Sequence, residues 1–309
     1  MATQAPGADS QMLRFLLYET GRFASGLLGA LLFAAAVGAS SGAEPAHHSN
    51  AMPIAIARRL LAVVQFDFGS SAISGMSAWH DVLQRIPSTL SLVFAGAALA
   101  IVVGTGIGLL FSVGPVRRVT APVMQIVVVT PVFCGAMALA YFAARVLHWP
   151  VGVNGPIELG SMLLHPNFAL LRKEFLPILT VGASGAAIIQ LALRRAASEE
   201  ANQHYRVGLK RMGLSSLEID RVYVVRRLFT GLLSHLDEVM LALVSSTAIA
   251  EWMFDCSGAG DLFLRSVALR DWNVVALLLW LFIVATLFVG FVGHLSANAL
   301  SRTGVWSEQ

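Results

Sequence analysis

Six runs of apolar residues divide the chain, at 23–42, 88–113, 122–147, 175–194, 231–253 and 272–295, each bounded by polar, basic or glycine- and proline-bearing segments. About 20 apolar residues carry a helix across a hydrocarbon core of about 30 Å. Lipid offers no water to backbone groups, so a segment that crosses must bond its own backbone, and a helix is the default. The pattern predicts an all-α membrane protein with six transmembrane helices. It divides the chain into an N-terminal segment (1–22), a first helix (23–42), an outer segment (43–87) with a short amphipathic helix over Ile54–Phe66, a five-helix core (88–295) and a tail (296–309). Arg14 and Arg22 precede the first apolar run, and small residues follow it as at a signal cleavage site. The later spans favour a retained first helix.

Composition supports this reading. The 309 residues are 56% hydrophobic and 13% charged, with mean hydropathy +0.72, whereas a soluble domain carries about 25% charged residues. The net charge of +3 reads as topology rather than as nucleic-acid binding. Of 21 Lys and Arg residues, 13 fall in one alternating set of segments and 8 in the other. The segment 195–230 decides the bias, which places it and both termini in the cytoplasm. Cys134 and Cys256 lack metal-ligand spacing, and nothing compels a disulfide.

The cytoplasmic segment carries the strongest local pattern. Tyr205, Arg206, Leu209, Lys210 and Arg211 lead to Gly213 and Leu214. Gly213 can end a helix at positive φ, and Ser215 with Glu218 forms a capping box for the next. Two short helices around a glycine turn could dock into a cleft on a cytoplasmic partner, or could simply fix topology as a basic loop. On the other side, Glu251, Gly258, Gly260, Arg270 and Asp271 surround a glycine turn. Their charges could form an ion-pair network that fixes the loop, or could contact a docked partner. Asp237 and Glu238 begin the fifth span and suit a polar pathway or a wet interface. Gly104 and Gly108 have the spacing of a small-residue helix contact.

Several stretches, in order, resemble the dipeptide/oligopeptide/nickel ABC importer permeases of the first-permease type. They are Met12–Leu16, Phe66–Ser71, Arg85-Ile86-Pro87-Ser88-Thr89-Leu90, Pro131–Phe133, Leu147–Pro150, Leu176-Pro177 and the Glu251–Asp271 loop. The chain departs from that family's pattern at Leu209–Met212, Ser257 and Asn273. The resemblance implies a type I ABC importer permease fold and a place in a bacterial cytoplasmic membrane. It also implies a second homologous permease, two ATPase subunits that bind ATP and Mg, and an extracytoplasmic solute-binding protein. Gly213 falls at the family's ATPase-docking glycine, and the Glu251–Asp271 loop at its last outer loop. No cofactor, metal or nucleic acid is implied for this chain.

Two other functions compete. A self-sufficient channel or secondary transporter would need mid-membrane charges or inverted repeats, and few central charges and no convincing repeat occur. Gly182-Ala183-Ser184-Gly185 is similar to the Gly-x-Ser-Gly of rhomboid-type proteases, with His294 in the sixth span. Counting at about 1.5 Å per residue separates these two by roughly 20 Å in depth, too far for general-base catalysis. No Gly-x-x-x-x-Gly-Lys-Ser/Thr loop is present, so ATP-driven work would need a partner.

Overall fold

Helices α1 (Ala8–Ala39), α3 (Ala78–Ser112), α5 (Phe168–Ala201) and α9 (Trp272–Arg302) are long and apolar enough to cross a membrane. The computed structural model describes residues 8–39, 51–112, 126, 129–157, 168–201 and 225–302. Each of these helices is roughly 47–53 Å long at about 1.5 Å per residue, longer than a bilayer core. Shorter elements complete the order: α2 (Ala51–Val64), α4 (Val132–Phe142), α6 (Val225–Ser234), α7 (Leu236–Met253) and α8 (Ala259–Ala268).

The third helix begins at Ala78 rather than at Ser88 and carries Pro87 inside it. Proline removes one helical N–H. Its missing bond is the one to Leu83 O; one turn on, the Ser91 hydroxyl donates separately to the Pro87 carbonyl at 2.9 Å. In α5 the Thr180 hydroxyl likewise donates to Leu176 O, next to Pro177. Helix α4 widens into a π turn at Ala143–Leu147, which stops at His148 in a left-handed conformation (φ 52°). The Trp149 ring then meets Phe175 edge-on at 5.9 Å, joining this end to α5.

The most extensive helix pair is α3 with α5. A shared apolar core holds Leu92, Ala100, Leu176, Val181, Ile189 and Leu243. Hydrophobic burial does not drive helices together in lipid, so close packing must do so, and small residues permit it. A Cβ added at Gly96 would lie 2.5 Å from Val181 Cγ1, and one at Gly104 would lie 2.9 Å from Ile189 Cβ. From the other side, one at Gly182 would meet Leu99 at 2.6 Å. Gly104 thus lies in a helix contact, as expected. Gly108 is in the same helix. Among the described side chains the seam runs along Gly96-xxx-Ala100-xxx-Gly104 against Gly182-xxx-Ala186.

A second core joins α1, α2, α9 and the start of α3 through Ala34, Val63, Phe68, Val82, Val274 and Leu277. Outside both cores, large apolar side chains stand bare, including Val102 (70% exposed) and Val129 (73%). Apolar surface this open suits lipid rather than water.

Candidate functional site

At one end of the bundle, α7, α8 and the start of α3 meet around a carboxylate. Glu251 is wholly buried. Its Oε2 accepts the backbone N–H of Gly260 at 2.7 Å and of Asp261 at 3.0 Å. Both donors sit in the first turn of α8, where a helix leaves N–H groups unpaired and favours negative charge. The Thr89 hydroxyl of α3 accepts the Ala259 N–H at 2.7 Å. The buried carboxylate of Asp261 takes both oxygens to Arg265 Nε at 2.8 Å and lies 3.7 Å from Arg85. Gly258 keeps an ordinary φ of −119°. It is required for space, because an added Cβ would fall 2.1 Å from the Glu251 carboxyl.

Asp271 does separate work. Its Oδ2 accepts the Ser71 hydroxyl at 2.6 Å and the Ala72 N–H at 3.0 Å, tying the 70–77 turn to the head of α9. Arg270, in the left-handed region (φ 59°), turns the chain between α8 and α9. Among the described residues it makes no ion pair with Glu251 or Asp271, so the expected network is replaced by carboxylate-to-backbone bonds. A carboxylate facing a helix N-terminus finds donors there and needs no cation.

Cys256 lies in this loop, buried. Burial first, then the nearby carboxylates led by Glu251, pushes its thiol pKa far up. The thiolate is the reactive form. In a Cys134→Ala chain, N-ethylmaleimide should therefore leave Cys256 unmodified in native membranes and alkylate it fully after denaturation, read by intact mass. Rapid labelling in the native state would contradict this packing.

Asp237 and Glu238 lie at the opposite end. Asp237 Oδ2 is 3.5 Å from Arg22 Nη2 and 3.8 Å from His294 Nε2, and Arg22 Nη2 meets His294 Nε2 at 2.9 Å. Glu238 pairs with His235 at 3.1 Å. The cluster joins α1, α7 and α9 beside a cavity of about 210 Å³ that Glu19 and Phe23 also line. Ser184 is elsewhere, its hydroxyl bonded to Thr180 O at 3.1 Å, so the Ser184–His294 pair does not form.

A larger cavity, about 500 Å³, opens between α4, α5 and α7. Thr130, Thr180, Ser184 and Ser245 are its polar wall; the sequence pattern did not point to three of these four, and it raised Ser184 only for a protease-like pairing that depth ruled out. Isolated hydroxyls in apolar runs give no motif; only the fold brings them to one face. The positions Tyr205, Arg206, Leu209, Lys210, Arg211, Gly213, Leu214 and Glu218 lie outside the described residues.

Helices of bilayer length, a small-residue seam and a groove between helices define an integral membrane component. The chain belongs to the family described as binding-protein-dependent transport system inner membrane component, which matches residues 100–303. It is a permease component, not an enzyme. It is 20% identical to the putrescine export system permease protein SapB of Escherichia coli, covering 69% of this chain and 73% of that one. To the metal-staphylopine import system permease protein CntB of Staphylococcus aureus it is 23% identical, over 75% and 70% of the two chains. To the glutathione transport system permease protein GsiC of Shigella flexneri it is 22% identical, over 74% and 72%. These relatives bear out the resemblance to peptide- and nickel-type permeases.

Proposed function

We propose that the chain is one of two permease subunits of an ATP-driven importer for peptides or a related small solute. The observation that carries this reading is the family match over residues 100–303, from the middle of α3 into α9, a stretch that holds the groove and the Gly104 part of the α3–α5 seam. Six passes arise if Val132–Leu147 and the α6–α7 pair cross along with the four long helices. In support, α4 and α7 flank the same groove as α5, and the segment after α4 bonds to the end of α7 through Val153 N–H and Phe254 O at 2.8 Å. Import, rather than the export in one relative's name, follows from the family's dependence on binding proteins.

In this reading the Asp237 end faces the cytoplasm with both termini, and the Glu251 end faces outward. Residues 205–218 join α5 to α6 and form the handle for two ATPase subunits, which bind the ATP and Mg that this chain does not. The joint between α6 and α7 at His235 (φ −114°, ψ 17°) passes their motion into α7. A Cβ added at Gly293 of α9 would lie 2.5 Å from Leu233 O, so α6 rides closely on α9. Alternating access then opens the groove to each side in turn, with an extracytoplasmic binding protein delivering solute at the Glu251 end.

Replacing Gly213 by Arg tests the handle. The variant is expected to insert normally, lose ATPase co-purification and abolish uptake, because in this reading Gly213 takes the docking position and a long cationic side chain there would block the contact. Unchanged co-purification and uptake would remove the handle from the account.

A further inference from the structure

The groove between α4, α5 and α7 has an uneven chemistry. Among the described residues no charged side chain lines it. Its polar groups are the hydroxyls of Thr130, Thr180, Ser184 and Ser245. Each donates its proton to the carbonyl four residues earlier, to Ile126 O at 2.6 Å, Leu176 O at 3.0 Å, Thr180 O at 3.1 Å and Leu241 O at 2.7 Å. A hydroxyl has one donor and two acceptor lone pairs. With the donors committed to carbonyls, only acceptor capacity remains toward the cavity. Helices α5 and α7 and the residue just before α4 repeat the arrangement, so the hydroxyls that line the groove among the described residues present acceptors to it.

Resting on the permease reading above, we propose that this groove lines the solute path and selects solutes that bring N–H donors, amines or amides, over anionic ones, through the hydroxyl oxygens of Thr130, Thr180, Ser184 and Ser245. An ammonium or amide N–H finds an acceptor at each level. A carboxylate or sulfonate meets lone pairs, and the acceptors it would need to displace are already bonded. Ser245 is exposed in this chain while its proton is held by Leu241 O, so its oxygen is open to whatever occupies the groove.

The test uses the full complex in native membranes, with Cys134→Ala as background. Thr130, Ser184 and Ser245 are replaced by Cys one at a time. Ile73→Cys, on the exposed 70–77 turn, serves as the reference. Each is treated with the cationic trimethylammonium-ethyl and the anionic sulfonato-ethyl methanethiosulfonate, without nucleotide and with ATP plus vanadate. After normalisation to Ile73→Cys, the groove positions should react on the order of tenfold faster with the cation, the factor that about one net hydrogen bond or its charge equivalent supplies. Equal normalised rates overturn the selectivity. Protection from both reagents in both nucleotide states overturns the path and leaves a lipid- or subunit-covered face. The Gly213→Arg result reports on the permease reading alone. A chain that fails that test yet keeps the cation bias retains the groove's selectivity without the motor.

Discussion

Gly260→Val should yield almost no folded chain. An added Cβ at this position would stand 2.5 Å from the Cα of Ala248 and 3.0 Å from Glu251 Oε2. The nearer atom is helix backbone, so no rotamer change relieves the contact. The relief available is to lift α8 away from α7. That breaks the bonds from the Gly260 and Asp261 N–H groups to Glu251 and strands a carboxylate in a dry site, which is strongly unfavourable. Overpacking in an ordinary core costs about 1–3 kcal/mol, and the lost hydrogen bonds to a charged group add about 1.5–3 kcal/mol each. Recovery of monodisperse protein from detergent, with its melting temperature, reads the effect. Gly29→Val is the control, since nothing lies within 4 Å of a Cβ there. Equal stability of the two variants would show that α8 does not sit on α7 as described.

The second large effect falls on the seam. Gly96→Leu places its Cβ 2.5 Å from Val181 Cγ1 and 2.9 Å from Val181 Cβ. Valine has one preferred χ1 in a helix, so Val181 cannot turn aside, and α3 and α5 must separate along their most extensive contact. The expected loss is about 3 kcal/mol, seen as a lower melting temperature and as failure to assemble. Gly96→Ala with Val181→Ala should be more stable than Gly96→Ala alone, because the second change removes the Cγ1 atom at 2.5 Å and leaves only the Cβ contact at 2.9 Å. If the double variant is no better than Gly96→Ala alone, the seam is not at these residues.

Much of this was legible in the sequence because membrane helices are written in simple terms. Long apolar runs gave α1, α3, α5 and α9, although the Pro87 signal hid the first turns of α3, which the Trp79–Phe66 bond at 2.8 Å (from the indole N–H to the carbonyl) helps to anchor. Glu251, Gly258 and Gly260 were identifiable as a group, since a buried acid beside paired glycines marks a tight turn. Their roles were not. An ion pair and a carboxylate-capped helix look alike in one dimension, and the distinction lies in where the N–H groups of Gly260 and Asp261 point. Thr89 is some 170 positions from Ala259, and no local pattern announces such a bond. Asp237 suggested a pathway because an acid early in a span is costly. The fold satisfies it with Arg22 and His294, residues far off in the chain.

We propose that this permease works only within an assembly whose motor subunits grip residues 205–218. The most direct measurement is the composition of the complex isolated from native membranes through a tag on this chain, by mass spectrometry of the intact particle. The account predicts one copy of this chain, one copy of a second permease and two nucleotide-hydrolysing subunits, with the latter lost on Gly213→Arg. A particle holding this chain alone, and moving solute without ATP, would contradict it.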